Sequence, residues 1–232
     1  MQYTLTFGTE SNILQVAHLS LVKSVSRLQE EQKHFDEVFL EFSALAFTRG
    51  ALIEVSGGAA SGKTAIALSL LAKLTADGEI CAVVDASNGV DPKSTRTAGV
   101  VLENLLWVRC GGDIEKAFMA ADHLVQAKGF GAIWLNLGGL PLQKLRMVPK
   151  TYWYRYRTRI KETPTLLFVT ANEHVTGSAS QQAFTFSRPG KAKWSGNGRF
   201  KLLREIHIDM ISRKQFYGQP LRTIIEADHS NG

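Results

Sequence analysis

The chain has 232 residues, 44% hydrophobic and 21% charged, a length and composition that suit one sizeable core rather than a string of small domains. No apolar run reaches the roughly 20 residues of a membrane span, and the polar start from Met1 to Glu10 lacks the charged-then-apolar pattern of a secretion signal, so a cytoplasmic location without a membrane partner is expected. The net charge of +6 is unevenly spread: residues 1–143 carry 11 Lys and Arg against 15 Asp and Glu, while residues 144–222 carry 16 against 4, which marks the later part as the face for a polyanion.

Residues 1–45 read as an N-terminal helical segment. From Asn12 to about Gln29 the apolar Leu14, Leu21, Val25 and Leu28 share one helical face, as expected of a helix that packs outside the main core and serves as a partner or oligomer contact. Ahead of it, Gln2, Leu5 and Phe7 fit the Q-x-x-L-x-F pattern that bacterial replication proteins present to the sliding clamp. An edge strand alternating Tyr3, Leu5 and Phe7 accounts for the same residues.

Residues 46–226 read as the core and 227–232 as a tail. Ala51 to Val55 is an apolar strand, followed at once by Gly57-Gly58-Ala59-Ala60-Ser61-Gly62-Lys63-Thr64 and by a strong helix former from Ala65 to Leu74. Ile80 to Asp85 and Leu105 to Val108 are expected strands, Ile114 to Ala127 a helix, and Ala132 to Leu137 and Thr165 to Thr170 two further strands. Cys81 and Cys110 lie in or beside strands without C-x-x-C spacing, which suggests buried thiols rather than a disulfide or metal site. Asn172 to Gly198 shows little periodicity, so much of it reads as a mobile surface loop. Leu203 to Ile211 and Leu221 to Ile225 read as a closing antiparallel hairpin. The alternation gives an α/β class with a mostly parallel central sheet covered on both faces, antiparallel strands at its C-terminal end and an N-terminal helix.

The stretch Gly57 to Thr64 is an unbroken G-x-x-x-x-G-K-T phosphate loop in its required strand–loop–helix context. In such a loop the backbone N–H groups cradle phosphates, Lys63 neutralises them and Thr64 offers a hydroxyl to a magnesium ion, Mg2+. ATP or ADP is therefore the expected ligand. Hydrolysis also needs carboxylates at neighbouring strand ends, yet Ser87 and Asn136 stand there.

Val84-Asp85-Ala86-Ser87-Asn88-Gly89-Val90-Asp91-Pro92 resembles the RecA recombinase segment in which an acidic residue and a histidine follow Asp-Ala, with Asp-Pro further on. Gly99-Val100 with Glu103-Asn104-Leu105-Leu106 resembles the next one. That resemblance implies a RecA-like P-loop NTPase core. It also implies that Ser87 replaces the glutamate that activates water and Asn136 the strand-end aspartate of the magnesium site, so no catalytic residue is assigned and turnover is weak at most. By the same resemblance Asp91 lies near the adenine and Asn172 senses the γ-phosphate. Asp85, which ends a strand, is with Thr64 the candidate metal residue.

Between Lys144 and Lys161 the basic Lys144, Arg146, Lys150, Arg155, Arg157 and Arg159 are interleaved with aromatics that include Tyr152 and Trp153, a mixture suited to single-stranded nucleic acid. The segment lies where RecA-type proteins place their first DNA loop. An amphipathic helix with Tyr152, Tyr156 and Arg159 on one face explains it nearly as well, and an acidic protein partner is a third reading. Arg188, Lys191, Lys193 and Trp194 repeat the mixture in a second segment.

A short RecA-like chain with altered hydrolytic positions resembles the ImuA accessory proteins, relatives of SulA and RecA. Their family role is SOS-induced translesion synthesis, the mutagenic branch of the bacterial DNA damage and repair response. The resemblance implies docking on DNA, on RecA or on an ImuB-like polymerase-related partner, with nucleotide as a structural ligand or switch. The rival is an active DNA-dependent ATPase or recombinase paralogue.

Overall fold

The apolar runs of the core pair in register into one sheet. The computed structural model describes residues 37–40, 45–187, 192–195, 202–212 and 221–226, the last three stretches in backbone only. The expected helix at 12–29, the clamp residues Gln2, Leu5 and Phe7, the basic Arg188 and Lys191, and the tail 227–232 lie outside the described residues.

The strands are β1 (Glu37–Leu40), β2 (Leu45–Thr48), β3 (Leu52–Gly57), β4 (Cys81–Asp85), β5 (Leu105–Arg109), β6 (Ala132–Asn136), β7 (Leu166–Ala171), β8 (Gln182–Ser187), β9 (Ala192–Ser195), β10 (Leu202–Ser212) and β11 (Leu221–Glu226). The helices are α1 (Lys63–Ala76), α2 (Pro92–Thr97), α3 (Ile114–Ala127), α4 (Leu142–Arg146) and α5 (Lys150–Ile160). β1 and β2 form a small sheet, and the main sheet runs β11-β10-β8-β3-β7-β6-β4-β5 with β9 on β10. From β8 to β5 all pairings are parallel, and those of β10 with β8, β9 and β11 are antiparallel. This is the mostly parallel sheet with antiparallel C-terminal strands that the sequence leads one to expect.

Every residue of β3, β4, β6 and β7 is buried, which explains why these strands read as continuous apolar runs rather than alternating ones. The register sets Asp85 opposite Asn136 and Asn136 opposite Thr170, so the ends of β4, β6 and β7 are level with one another and flank the loop that leaves β3. In parallel sheets of this kind ligands bind beyond the carboxyl ends of the strands.

Residues 172–181 are turns and bends, in keeping with the loop reading, but the segment 172–198 also contains two strands that the sequence reading missed, β8, which sits inside the sheet between β3 and β10, and β9. Within Gln182-Ala183-Phe184-Thr185-Phe186 the buried residues are Ala183 and Phe186, three apart and so on opposite faces of the strand, and with polar flanks this gives no clean period-2 signal. β2 joins the same side of the core. Phe47 meets Phe168 and Phe184 edge to face, and the Gln182 side chain donates to the Ala46 carbonyl and accepts from the Thr48 N–H.

Candidate nucleotide site

β3 delivers the phosphate loop at the centre of the sheet, and α1 starts at Lys63 directly after Gly62, whose φ of 94° lies in the left-handed region open to glycine. Gly57 admits no side chain: a Cβ there would stand 2.6 Å from both the Phe186 carbonyl oxygen and Ser61 Oγ. Gly58, Ala59, Ala60 and Thr64 are exposed, whereas Ser61 and Lys63 are buried. Lys63 Nζ donates to the carbonyls of Gly57 and Gly58 at 3.0 and 2.9 Å, and burial lowers its pKa. Neutral carbonyls leave the ammonium charge uncompensated, and the buried Ser61 Oγ lacks a hydrogen-bond partner. Both observations fit an anion in the loop, a phosphate group above all.

Beside the loop, the side chains of Asp85, Ser87, Asn136 and Thr170 join the Gly138 backbone in one polar network. Ser87 Oγ donates to the Gly138 carbonyl at 2.5 Å. Asn136 Oδ1 accepts from the Gly138 N–H and from Thr170 Oγ1, both at 3.1 Å, and its Nδ2 donates to Asp85 Oδ1 at 3.3 Å. Trp134 Nε1 in turn donates to Thr170 Oγ1 at 2.9 Å. The turn at Gly138 comes close to the loop lysine, since a Cβ on that glycine would lie 3.9 Å from Lys63 Cε. Ser87, Asn136 and Lys63 thus converge on one small volume.

The donor set does not fit a strand-end magnesium site. Asp85 is fully buried, and its carboxylate accepts from the Gly89 and Val90 N–H groups at 3.0 Å each, so it holds the 86–90 loop rather than facing the phosphate loop. Asn136 is neutral. Among the described residues no three His, Cys, Asp or Glu side chains cluster as a metal site.

Asp91 caps α2, accepting from Ser94 N at 2.7 Å and Ser94 Oγ at 2.8 Å, bonds that lower its pKa. Asn172 is exposed just past β7. One residue escaped the sequence reading. Glu54, buried in β3, accepts from the Val175 and Thr176 N–H groups and from Thr176 Oγ1, and pairs with His174 Nδ1. Burial pushes its pKa up, but the bonds from His174, Val175 and Thr176 outweigh that and hold it below the usual carboxylate range. An acid in the middle of an apolar strand was the available signal.

The basic-aromatic segment spans the helices α4 and α5, and α5 divides by face. Trp153, 1% exposed, and Tyr156 are core residues against Phe118, with the Tyr156 hydroxyl donating to the Phe118 carbonyl at 2.7 Å. Trp153 is therefore not available to stack on a base, a correction imposed by helical phase. Tyr152 is half-buried beneath the Arg155 guanidinium, 4.4 Å from its ring centre, and Arg155 and Arg159 both pair with Asp122. The outer face keeps Lys144, Arg146, Lys150, Tyr154 and Arg157 exposed. Lys193 and Trp194 lie on β9, described in backbone alone. Between α3 and α5 an open groove of about 560 Å³ is lined by Phe118, Met119, Met147, Val148 and Tyr152, well away from the phosphate loop along the chain. Among the described residues no helix is long and apolar enough to cross a membrane.

Residues 14–136 match the family model described as the RecA N-terminal domain. The chain is 50% identical over 79 residues to protein RecA of Mesorhizobium japonicum, covering 34% of this chain and 21% of that protein. It is 27% identical over 133 residues to protein RecA of Borreliella afzelii, covering 57% of this chain and 35% of that protein. The matches thus span only about a fifth to a third of the length of these curated relatives. Among solved structures, the RadB recombinase superposes with a TM-score of 0.57 over 78% of this chain and 88% of its own, at 15% identity, a likeness of fold alone.

Proposed function

Because the chain belongs to the RecA N-terminal domain family, we propose that it is a nucleotide-binding RecA-like accessory protein of the ImuA type. It binds ATP or ADP with weak or no hydrolysis and acts in SOS-induced translesion synthesis. The observation that carries the reading is the strand-end network. Ser87 is committed to the Gly138 carbonyl and Asn136 to Asp85, so neither position offers a carboxylate to activate water or to organise a metal shell, while the loop with Lys63 remains whole. A bound nucleotide then acts by mass action on the folded state, without turnover.

Docking on single-stranded DNA is supported by the exposed Lys150, Tyr154 and Arg157 of α5 and the exposed Arg146 that ends α4. Docking on a RecA or ImuB-like protein partner is supported by the groove between α3 and α5, whose exposed Met119 and Met147 suit an apolar helix. The deciding experiment is ATP and ADP titration paired with phosphate release, with and without single-stranded DNA. Binding without release supports the accessory reading. Release that disappears in Lys63→Ala would instead establish an active DNA-dependent ATPase.

A further inference from the structure

Phosphate loops commonly neutralise a nucleotide twice, first with the lysine and backbone N–H groups, then with a divalent cation held by the loop hydroxyl and strand-end carboxylates. In this chain the first set is complete, while the second keeps the exposed Thr64 hydroxyl but has no free strand-end carboxylate. Both oxygens of Asp85 are occupied, Oδ1 by the Gly89 N–H and the Asn136 amide, Oδ2 by the Val90 N–H. Turning that carboxylate toward a cation would strand two loop N–H groups. Asn136 brings no charge, and its own oxygen already accepts two bonds. Ser87 Oγ is held by Gly138.

Lys63 is in the opposite condition. Its nearest partners are two neutral carbonyls, and among the described residues no carboxylate pairs with it. Ser61 Oγ, 4% exposed and without a partner, is a second group in the loop that an anionic oxygen would satisfy.

We propose that the phosphate loop takes nucleoside di- and triphosphates without a divalent cation, the Lys63 ammonium and the loop N–H groups supplying the charge compensation. The proposal rests on the nucleotide-binding reading above and adds to it the independence from metal. One consequence is that occupancy of the site follows nucleotide concentration and not that of magnesium.

The test is a titration of the full chain with a fluorescent ADP analogue, once in excess magnesium and once in excess EDTA. The expected dissociation constants agree within about threefold, and Lys63→Ala weakens binding by about tenfold or more in both buffers. A loss of about tenfold or more in EDTA for the unaltered chain overturns the proposal while leaving nucleotide binding standing. Absence of binding in both buffers, with the chain folded by circular dichroism, overturns the nucleotide reading itself. Asn136→Asp returns a carboxylate to the strand end and is expected to make affinity depend on magnesium by about tenfold. A folded Asn136→Asp chain as indifferent to the metal as the parent would overturn the assignment of that indifference to this position.

Discussion

Asn136 Nδ2 donates to Asp85 Oδ1 at 3.3 Å, a bond between residues that already face each other across the β4–β6 register. An amide at position 136 gives the fully buried Asp85 carboxylate a hydrogen-bond donor rather than a second carboxylate across the register. Asn136→Asp would set two carboxylates against each other there and raise the pKa of one of them. A raised folded-state pKa means that the penalty is largest at high pH and shrinks as the pH falls through that value. The variant is expected to be less stable than the parent by about 1–3 kcal/mol at pH 8, with part of the loss recovered near pH 5. Urea unfolding at the two pH values measures it.

Ser87→Glu tests whether the altered position alone explains weak turnover. The serine hydroxyl holds the Gly138 carbonyl, and a Cβ on Gly139 would lie only 3.0 Å from Ser87 Oγ, so the turn is fitted tightly against a small side chain. A glutamate is expected to displace that turn, to lower stability by about 1–2 kcal/mol and to confer no turnover. Phosphate release and thermal unfolding on the same preparation check both parts.

Much of this could be read from the sequence where the determinants are contiguous. β3, the phosphate loop and α1 follow one another without interruption, so local spacing carried them. β8 was hidden because its few apolar residues, Ala183, Phe184 and Phe186, follow no strict alternation and lie within a polar stretch. Glu54 was hidden because its partners Val175 and Thr176 are more than a hundred residues away, and only the sheet brings them together. The phase of α5 was partly legible. Tyr156 is inward as its spacing suggests, but the buried row runs through Trp153, Tyr156 and Ile160, three and four residues apart, rather than through Arg159.

Glu54 also predicts an acid limit. Its folded pKa lies below the ordinary value, so its stabilising contribution is present above the ordinary pKa and is lost as the pH falls through the lower folded value. Glu54→Gln keeps the shape but cannot serve the same three donors equally. It is expected to cost about 1–3 kcal/mol at neutral pH, and the difference from the parent should narrow in acid. Denaturation curves between pH 3 and pH 7, about that ordinary pKa, provide the comparison.

Neighbouring aromatics on α5 should behave oppositely. Trp153→Ala is expected to destabilise by about 3–5 kcal/mol, since it opens a cavity against Phe118. Tyr154→Ala should change stability by about 0.5 kcal/mol or less, because the ring is exposed. If single-stranded DNA docks on this face, Tyr154→Ala combined with Arg157→Ala weakens binding about tenfold, read by fluorescence anisotropy at fixed salt. Unchanged anisotropy would move the docking surface elsewhere.

Helix α1 is held at its far end as well as at the phosphate loop. Thr75 accepts from the Val101 N–H through its hydroxyl, donates that hydroxyl to the Leu71 carbonyl, and takes the Asn104 amide on its own carbonyl. A rod clamped at its tail cannot slide when its head is loaded. With that tail fixed, the short connections after β4 and β6, joined by the Ser87–Gly138 bond beside Lys63, are the neighbours of the loop left to respond to a bound phosphate.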